Sequence, residues 1–388
     1  MGAGAACLAT AIFTRRLHPR TSVVLLDGAS RPGAKILVSG GGRCNVTNTI
    51  VSDADFWGGR RTVIRRVLRG FPVADTIAFF SEIGVRLHEE PGGKLFPDSN
   101  KARDVLNALV DEAARTGVVM MAGVRVTGVA RDGDQFRVAT RSGDVRARRV
   151  VLATGGRSLP KSGSDGAGFE MARAFGHTIV PTTPGLVPLV LEDERAAMHR
   201  QLSGVSHEAE LALWVDGAIQ TRLQGSLLWT HFGISGPLAL NMSRHWLRAR
   251  LDERRAELTV SFAPGGTFED VDARWTSAAR ERPQTSVSTH MSTLVPASVA
   301  AALVDRLGID GSTTLAHLSR DDRRQLSHAL VKWPLPVKGD RGYNYAEVTA
   351  GGVSLDEIDP ATLRSRVCPG LYLVGEIQIG RASCRERV

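Results

Sequence analysis

The chain opens Met1-Gly2-Ala3-Gly4-Ala5-Ala6-Cys7-Leu8-Ala9-Thr10-Ala11-Ile12, a glycine turn that runs straight into an alanine-rich, helix-favouring stretch. This is the second half of a dinucleotide-binding βαβ unit: the first glycine allows the turn, and the second lets backbone approach a pyrophosphate at the helix N-terminus. Gly2 and Gly4 take those two places, with Ala5 and Ala6 starting the helix, while Cys7 stands where a third glycine belongs. The strand expected before the turn is absent, so the first strand of the unit is read as missing. Residues 21–26, Thr-Ser-Val-Val-Leu-Leu, then form a short β-branched and apolar run ending in Asp27. A carboxylate about 20 residues beyond such a turn is placed to reach ribose hydroxyls.

From Pro32 the chain reads PGAKILVSGGGRCNVTN. Three consecutive glycines, Gly40, Gly41 and Gly42, can turn successive N–H groups toward an anion with no Cβ in the way, and Lys35 and Arg43 supply positive charge for a pyrophosphate or a substrate carboxylate. Further glycine-rich or turn-rich stretches follow: KLFPDSNKARDV from Lys94, ATGGRSLPKSGSDGAG from Ala153, THFGISGP from Thr230, AEVTAGGV from Ala346 and PGLYLVGE ending at Glu376. Taken together and in this order, they resemble the signatures of the BaiN/YhiN-type FAD-dependent oxidoreductases, and the resemblance runs from Gly2 to Glu376.

That resemblance implies a fold and a set of contacts. The fold is α/β: a Rossmann-like FAD-binding domain with an inserted β-barrel-like domain and a helical subdomain. Residues 1–185 and 349–378 make the FAD-binding domain, residues 186–262 the β-rich insert, 263–332 the helical subdomain, and 333–348 the return through the β-rich part. Ser39, Cys44 and Asn45 join the tri-glycine loop at the cofactor. Val126 offers a backbone contact to adenine, and Thr154, Gly155 and Gly156 flank FAD. Gly351 and Gly352, with Thr349 and Ala350, form a loop passing the isoalloxazine, and Gly375 and Glu376 close the site beneath it. The activity implied is hydride transfer to a conjugated small-molecule substrate, with NAD(P)H as electron source. Two alternatives stand beside it: a flavoprotein acting on nucleic acid such as tRNA through its helical insert, and an inactive fragment shortened at both ends.

The residues also speak without the resemblance. Residues 104–115 repeat apolar side chains at helical spacing, and residues 118–138 alternate around Asp132-Gly133-Asp134 like a hairpin. After Pro184, residues 186–191, 209–215 and 223–230 read as strands. Residues 267–329 read as charged helices punctuated by Pro283 and Pro296, and 333–337 as an extended exit. His231 is a candidate acid or base because imidazole titrates near neutrality, although the glycines and proline around it say turn. Cys44 lacks a CxxC partner and reads as a packed thiol.

Composition bounds the rest. With 388 residues, 43% hydrophobic, 23% charged and 41 glycines, the chain is globular and long enough for more than one domain. The four cysteines show neither a disulfide framework nor zinc spacing, so no metal is expected. No apolar run is long enough to span a membrane, and no secretory signal is evident, which makes the cytoplasm the expected compartment. The net charge of +9 is scattered over the length rather than gathered into a basic run with interleaved aromatics. Residues 379–388, IGRASCRERV, read as the translation of a sequencing-library adapter rather than native chain.

Overall fold

The computed structural model describes residues 1–56, 59–193 and 198–378, so the adapter-like stretch at 379–388 lies outside the described residues. Two compact units result. The first is made of Met1–Thr182 with the segment from Glu347 onward, the second of Thr183–Ala346.

In the first unit, strand β1 (Val24–Asp27) pairs in parallel with Val119–Ala122, and Val150–Leu152 pairs in parallel with Leu371–Leu373. Met1 and Gly2 lie between these two pairs. The Gly2 N–H donates to Leu26 O (2.8 Å) on one side, and the Ala153 N–H donates to Met1 O (3.1 Å) on the other. Gly2 has φ +100°, and a Cβ there would overlap Ala153 O, so the slot accepts only glycine. From this slot the chain turns into helix α1 (Ala5–Leu17), which buries Cys7, Leu8, Ala11 and Ile12. Cys7 packs in one cluster with Ala153 and Val374, so a small thiol serves the close helix-to-sheet contact that glycine usually provides.

Residues 104–115 are helical as their spacing implies. The helix spans Ala102–Arg115 and buries Val105, Leu106, Leu109 and Ala113. The hairpin expected over 118–138 is shorter than read. Its strands are Val126–Asp132 and Gln135–Thr140, turning at Gly133, with Val145–Ala147 added at the edge. Residues 119–122 leave it for the parallel sheet because Gly123, at φ +74°, breaks the run and donates its N–H to Ala29 O. A second correction concerns Thr349 to Gly352, expected as a loop. They belong to the buried strand Val348–Val353, which pairs with Ile179–Gly185. A Cβ on Gly351 would overlap Pro181 O, and one on Gly352 would meet Ile377 O at 2.7 Å, so these glycines let backbone pack on backbone.

The second unit holds a seven-stranded sheet. In spatial order its strands are Trp333–Leu335, Ala256–Ser261, Ser206–Val215, Ala218–Thr230, Gly233–Ser235, Leu189–Leu191 and Val337–Asp340, every pair antiparallel. The two edge strands follow each other in sequence with only Pro336 between them, which brings the edges together and makes the sheet barrel-like. The region read as helical contains Phe268–Glu281, Val287–Leu294, Ala297–Leu307 and Arg320–Val331. The first begins at a reciprocal cap between Thr267 and Asp270, and Pro296 directly precedes the third. Trp229, Trp275 and Met291 anchor this unit's core.

One buried charge ties the first unit together. Glu112, 6% exposed, accepts from Arg115 Nε (2.6 Å) and from Arg16 Nε at the end of α1 (2.8 Å). These hydrogen bonds, Arg115 foremost, hold its carboxyl below the ordinary 4.5. A carboxyl depressed by folding contributes stability above its unfolded value and loses it as pH falls through the folded one. Glu112→Gln is therefore expected to cost roughly 1–3 kcal/mol at pH 7. Thermal melts at stepped pH should show this deficit against wild type shrinking below pH 4.5; a deficit independent of pH would refute the assignment.

Candidate functional site

The first unit encloses a cavity of about 720 Å³, within the range of small-molecule and cofactor sites. Its floor is built where the parallel strands end. The start of α1 opens into it at Gly4, Ala5 and Ala6, with Gly2 behind them and Asp27 beside them. Helix α1 has no side-chain cap and no carboxylate in its first turn, so its leading N–H groups keep their hydrogen-bonding capacity. Gly4 has ordinary extended backbone (φ −81°, ψ −178°), and a Cβ there would meet nothing within 4 Å. Neither backbone strain nor protein packing requires glycine at this position, which leaves open space at the head of the helix. Asp27 Oδ1 accepts from the Ala29 N–H (2.7 Å), while Oδ2 has no partner among the described residues.

The opposite wall is supplied by the chain's late segment and by the turn after Val150–Leu152. Thr154, Gly155, Gly375, Glu376 and the buried Val126 all line the cavity. Gly375 has φ +74°, and a Cβ would meet Ala6 Cβ at 2.7 Å, so glycine is needed for the helix and the final turn to meet. Gly156 lies outside the lining and packs on Thr349. The Ser164 hydroxyl, on the wall and buried, has no hydrogen-bond partner among the described residues.

The cations are distributed differently from the sequence reading. Lys35 lines the cavity, but its ammonium is bound to Glu376 and donates to Ser158 Oγ (2.7 Å). Glu376 is further held by the Ser158 hydroxyl (3.0 Å) and the Thr349 N–H (2.6 Å). Lys35 and Glu376 thus act as one neutral, hydrogen-bonded pair. Arg43 lies away from the lining, stacked over Phe96 at 4.2 Å and paired with Glu90, whose carboxyl it holds low. Two cations not singled out by the sequence, Arg31 and Lys161, line the cavity and make no ion pair among the described residues. Their one sequence signal was position, each beside a glycine- or proline-containing turn, as in SRPG and LPKSG.

The tri-glycine segment is ordered as a tight turn, with Gly40, Gly41 and Gly42 all left-handed. Ser39, the glycines, Arg43, Cys44 and Asn45 are not among the lining residues. Asn45 is 1% exposed and neither its Oδ1 nor its Nδ2 has a partner among the described residues, so its amide keeps unmet capacity for a ligand or water. Gly351 and Gly352 are likewise outside the lining. His231 is exposed in a turn of the second unit, between Ala218–Thr230 and Gly233–Ser235, and is not a cavity residue. Among the described residues no cluster of histidine, cysteine and carboxylate could hold a metal, and no helix is long and apolar enough to cross a membrane.

Cys44 is fully buried, and burial pushes its thiol up to about 11. At pH 8 essentially no thiolate is present, and thiolate is the reactive form. Iodoacetamide at pH 8 followed by peptide mapping should leave Cys44 unmodified in folded protein and label it after unfolding. Rapid labelling of native Cys44 would show an accessible, activated thiol instead.

The family model for the HI0933-like protein Rossmann domain matches residues 1–379. The ribosomal RNA dihydrouridine synthase of Escherichia coli K12 is 30% identical over 97% of this chain and 90% of its own length. The 3-dehydro-bile acid delta(4,6)-reductase of Clostridium scindens is 29% identical over 97% of this chain and 91% of its own. The ribosomal RNA dihydrouridine synthase of Haemophilus influenzae is 28% identical over 97% and 90%.

Proposed function

Because this chain belongs to the HI0933-like Rossmann-domain family, we propose that it is a flavin-dependent oxidoreductase that holds FAD in the first unit's cavity and saturates a carbon–carbon double bond conjugated to a carbonyl. The observation that carries the reading is the uncapped start of α1 at Gly4, opening into the cavity with Asp27 beside it. An anion binds such a helix start through free N–H groups and the helix dipole, and a carboxylate oxygen without a partner accepts from ribose hydroxyls. The relatives' names support the reaction class: a dihydrouridine synthase and a delta(4,6)-reductase both saturate a double bond.

Each residue has a role that follows from its surroundings. The first turn of α1 binds the diphosphate, and the absent Cβ of Gly4 leaves room for it. Arg31 and Lys161 neutralise its charge, since neither is committed within the protein. Asp27 Oδ2 orients the adenosine ribose. Lys35 fixes the Glu376 carboxylate, and Ser158 and Thr349 hold it from the other side, so Glu376 presents a rigid wall at the strand end. Bound FAD supplies a two-electron hydride carrier recharged by NADH or NADPH. Saturating the substrate consumes one hydride and one proton.

The test begins with the purified chain: a visible flavin spectrum, and FAD identified after acid release. Gly4→Leu should fold with an unchanged melting temperature yet retain FAD at least tenfold less tightly, about 1.4 kcal/mol. Arg31→Ala and Lys161→Ala should each weaken retention in the same direction. NADPH-reduced protein should then be reoxidised anaerobically by cyclohexenone. A colourless protein that refuses added FAD would overturn the cofactor reading, and flavin that no enone reoxidises would overturn the reaction class.

A further inference from the structure

Residues 159–166 read Leu-Pro-Lys-Ser-Gly-Ser-Asp-Gly, and residues 160–165 all line the cavity described above. They form a nearly self-contained turn. The Ser162 N–H and hydroxyl donate to Leu159 O (2.8 and 2.7 Å), and the Gly163 N–H donates to Pro160 O (3.0 Å). No residue from 159 to 167 belongs to either apolar core of the first unit. The turn begins and ends on left-handed backbone, with Leu159 at φ +52° and Gly166 at φ +85°. A segment that buries little apolar surface and is held mainly by its own hydrogen bonds opens as a unit at low cost. Positions at its two ends take up the backbone rotation.

One ion pair fastens this turn to the rest of the unit. Arg125 Nη2 donates to Asp165 Oδ2 (2.5 Å), while Asp165 Oδ1 accepts from the Ala167 N–H (3.1 Å). Among the described residues, the Arg125–Asp165 pair is the only hydrogen bond or ion pair that reaches 160–165 from outside 159–167. Its path depends on a glycine: a Cβ on Gly28 would meet Arg125 Cδ at 2.8 Å, so the absent side chain lets Arg125 cross beside Asp27. Both partners line the cavity, and their side chains are 42% and 40% exposed. An ion pair so exposed favours the fastened state by only about two- to fivefold, enough to hold the turn and still let it open.

Two side chains of the turn bear on the cavity's contents. The Ser164 hydroxyl is buried against Gly155 without a hydrogen-bond partner among the described residues. Lys161 brings an ammonium that makes no ion pair among them. A diphosphate in the cavity attracts that ammonium and thereby favours the closed position.

We propose that residues 160–165 form a lid on the cavity, jointed at Leu159 and Gly166 and latched by Arg125–Asp165, and that release of this latch sets how fast FAD enters and leaves. The lid rests on the flavin reading for its ligand, but its opening is measurable without any cofactor.

The first measurement uses the full chain carrying Ser164→Cys, with iodoacetamide labelling of the introduced thiol followed by peptide mapping. Adding Asp165→Asn should speed this labelling about two- to fivefold, and the charge reversal Arg125→Asp/Asp165→Arg should return it toward the starting rate. Hydrogen exchange of peptides spanning 159–166, compared between wild type and Asp165→Asn without the cysteine, should show the same acceleration. The second measurement follows FAD release and uptake by flavin fluorescence. Asp165→Asn should speed both by a similar factor and leave Kd unchanged, because a gate alters both rates whereas a binding contact alters the ratio. Labelling and exchange indifferent to Asp165→Asn, no recovery on charge reversal, or a raised Kd with unchanged uptake would each overturn the lid. Latch-dependent labelling in a protein that refuses FAD would keep the lid and remove the flavin reading; latch-independent labelling in a yellow protein would do the reverse.

Discussion

The site depends on one backbone arrangement: Met1 and Gly2 held between two parallel strand pairs by hydrogen bonds to Leu26 on one side and from Ala153 on the other. In a parallel sheet, strands end on the same edge, and whatever follows each strand converges there. That convergence brings the head of α1 at Gly4, Asp27, Thr154 and Glu376 to one cavity, although they lie up to 372 residues apart in the chain. Gly2 and Gly375 carry the tightest part of the constraint, since a Cβ at either would push the helix or the turn out of place.

Positive charge in the first unit divides into three populations that look alike in a sequence. Lys35 is consumed by Glu376, and Arg43 by Glu90 and the ring of Phe96. Arg31 and Lys161 enter the cavity uncommitted, and the arginines of helix Arg61–Gly70 face outward. A charged pair in a partly buried place presents little net field to a ligand, whereas an uncommitted cation presents all of its own. The difference decides which of them can take an anion.

Glycine shows the same ambiguity. Gly2, Gly351 and Gly375 are required by the protein's own close contacts, whereas Gly4 is required by nothing within it. A run such as AEVTAGGV reads equally well as a ligand loop or as two strands brought into contact; Val348–Val353 is a strand packed on its neighbour, and Glu347 and Val348 at its start line the cavity.

Local chemistry determined a good deal without any coordinates. The alanine-rich start of α1, the apolar run into Asp27, the amphipathic helix ending at Arg115 and the strands ending at Leu191, Val215 and Thr230 follow from periodicity and propensity, which act over a few residues. The interrupted α/β organisation was legible from the resemblance spread over the whole chain. Partnership was not. Whether Lys35 meets a ligand or Glu376, whether Arg43 faces an anion or a phenyl ring, and whether residues 119–122 join a hairpin or a parallel sheet depend on residues distant in sequence. Such pairings are selected only when the whole unit packs, because each buried group takes the partner that best replaces lost water.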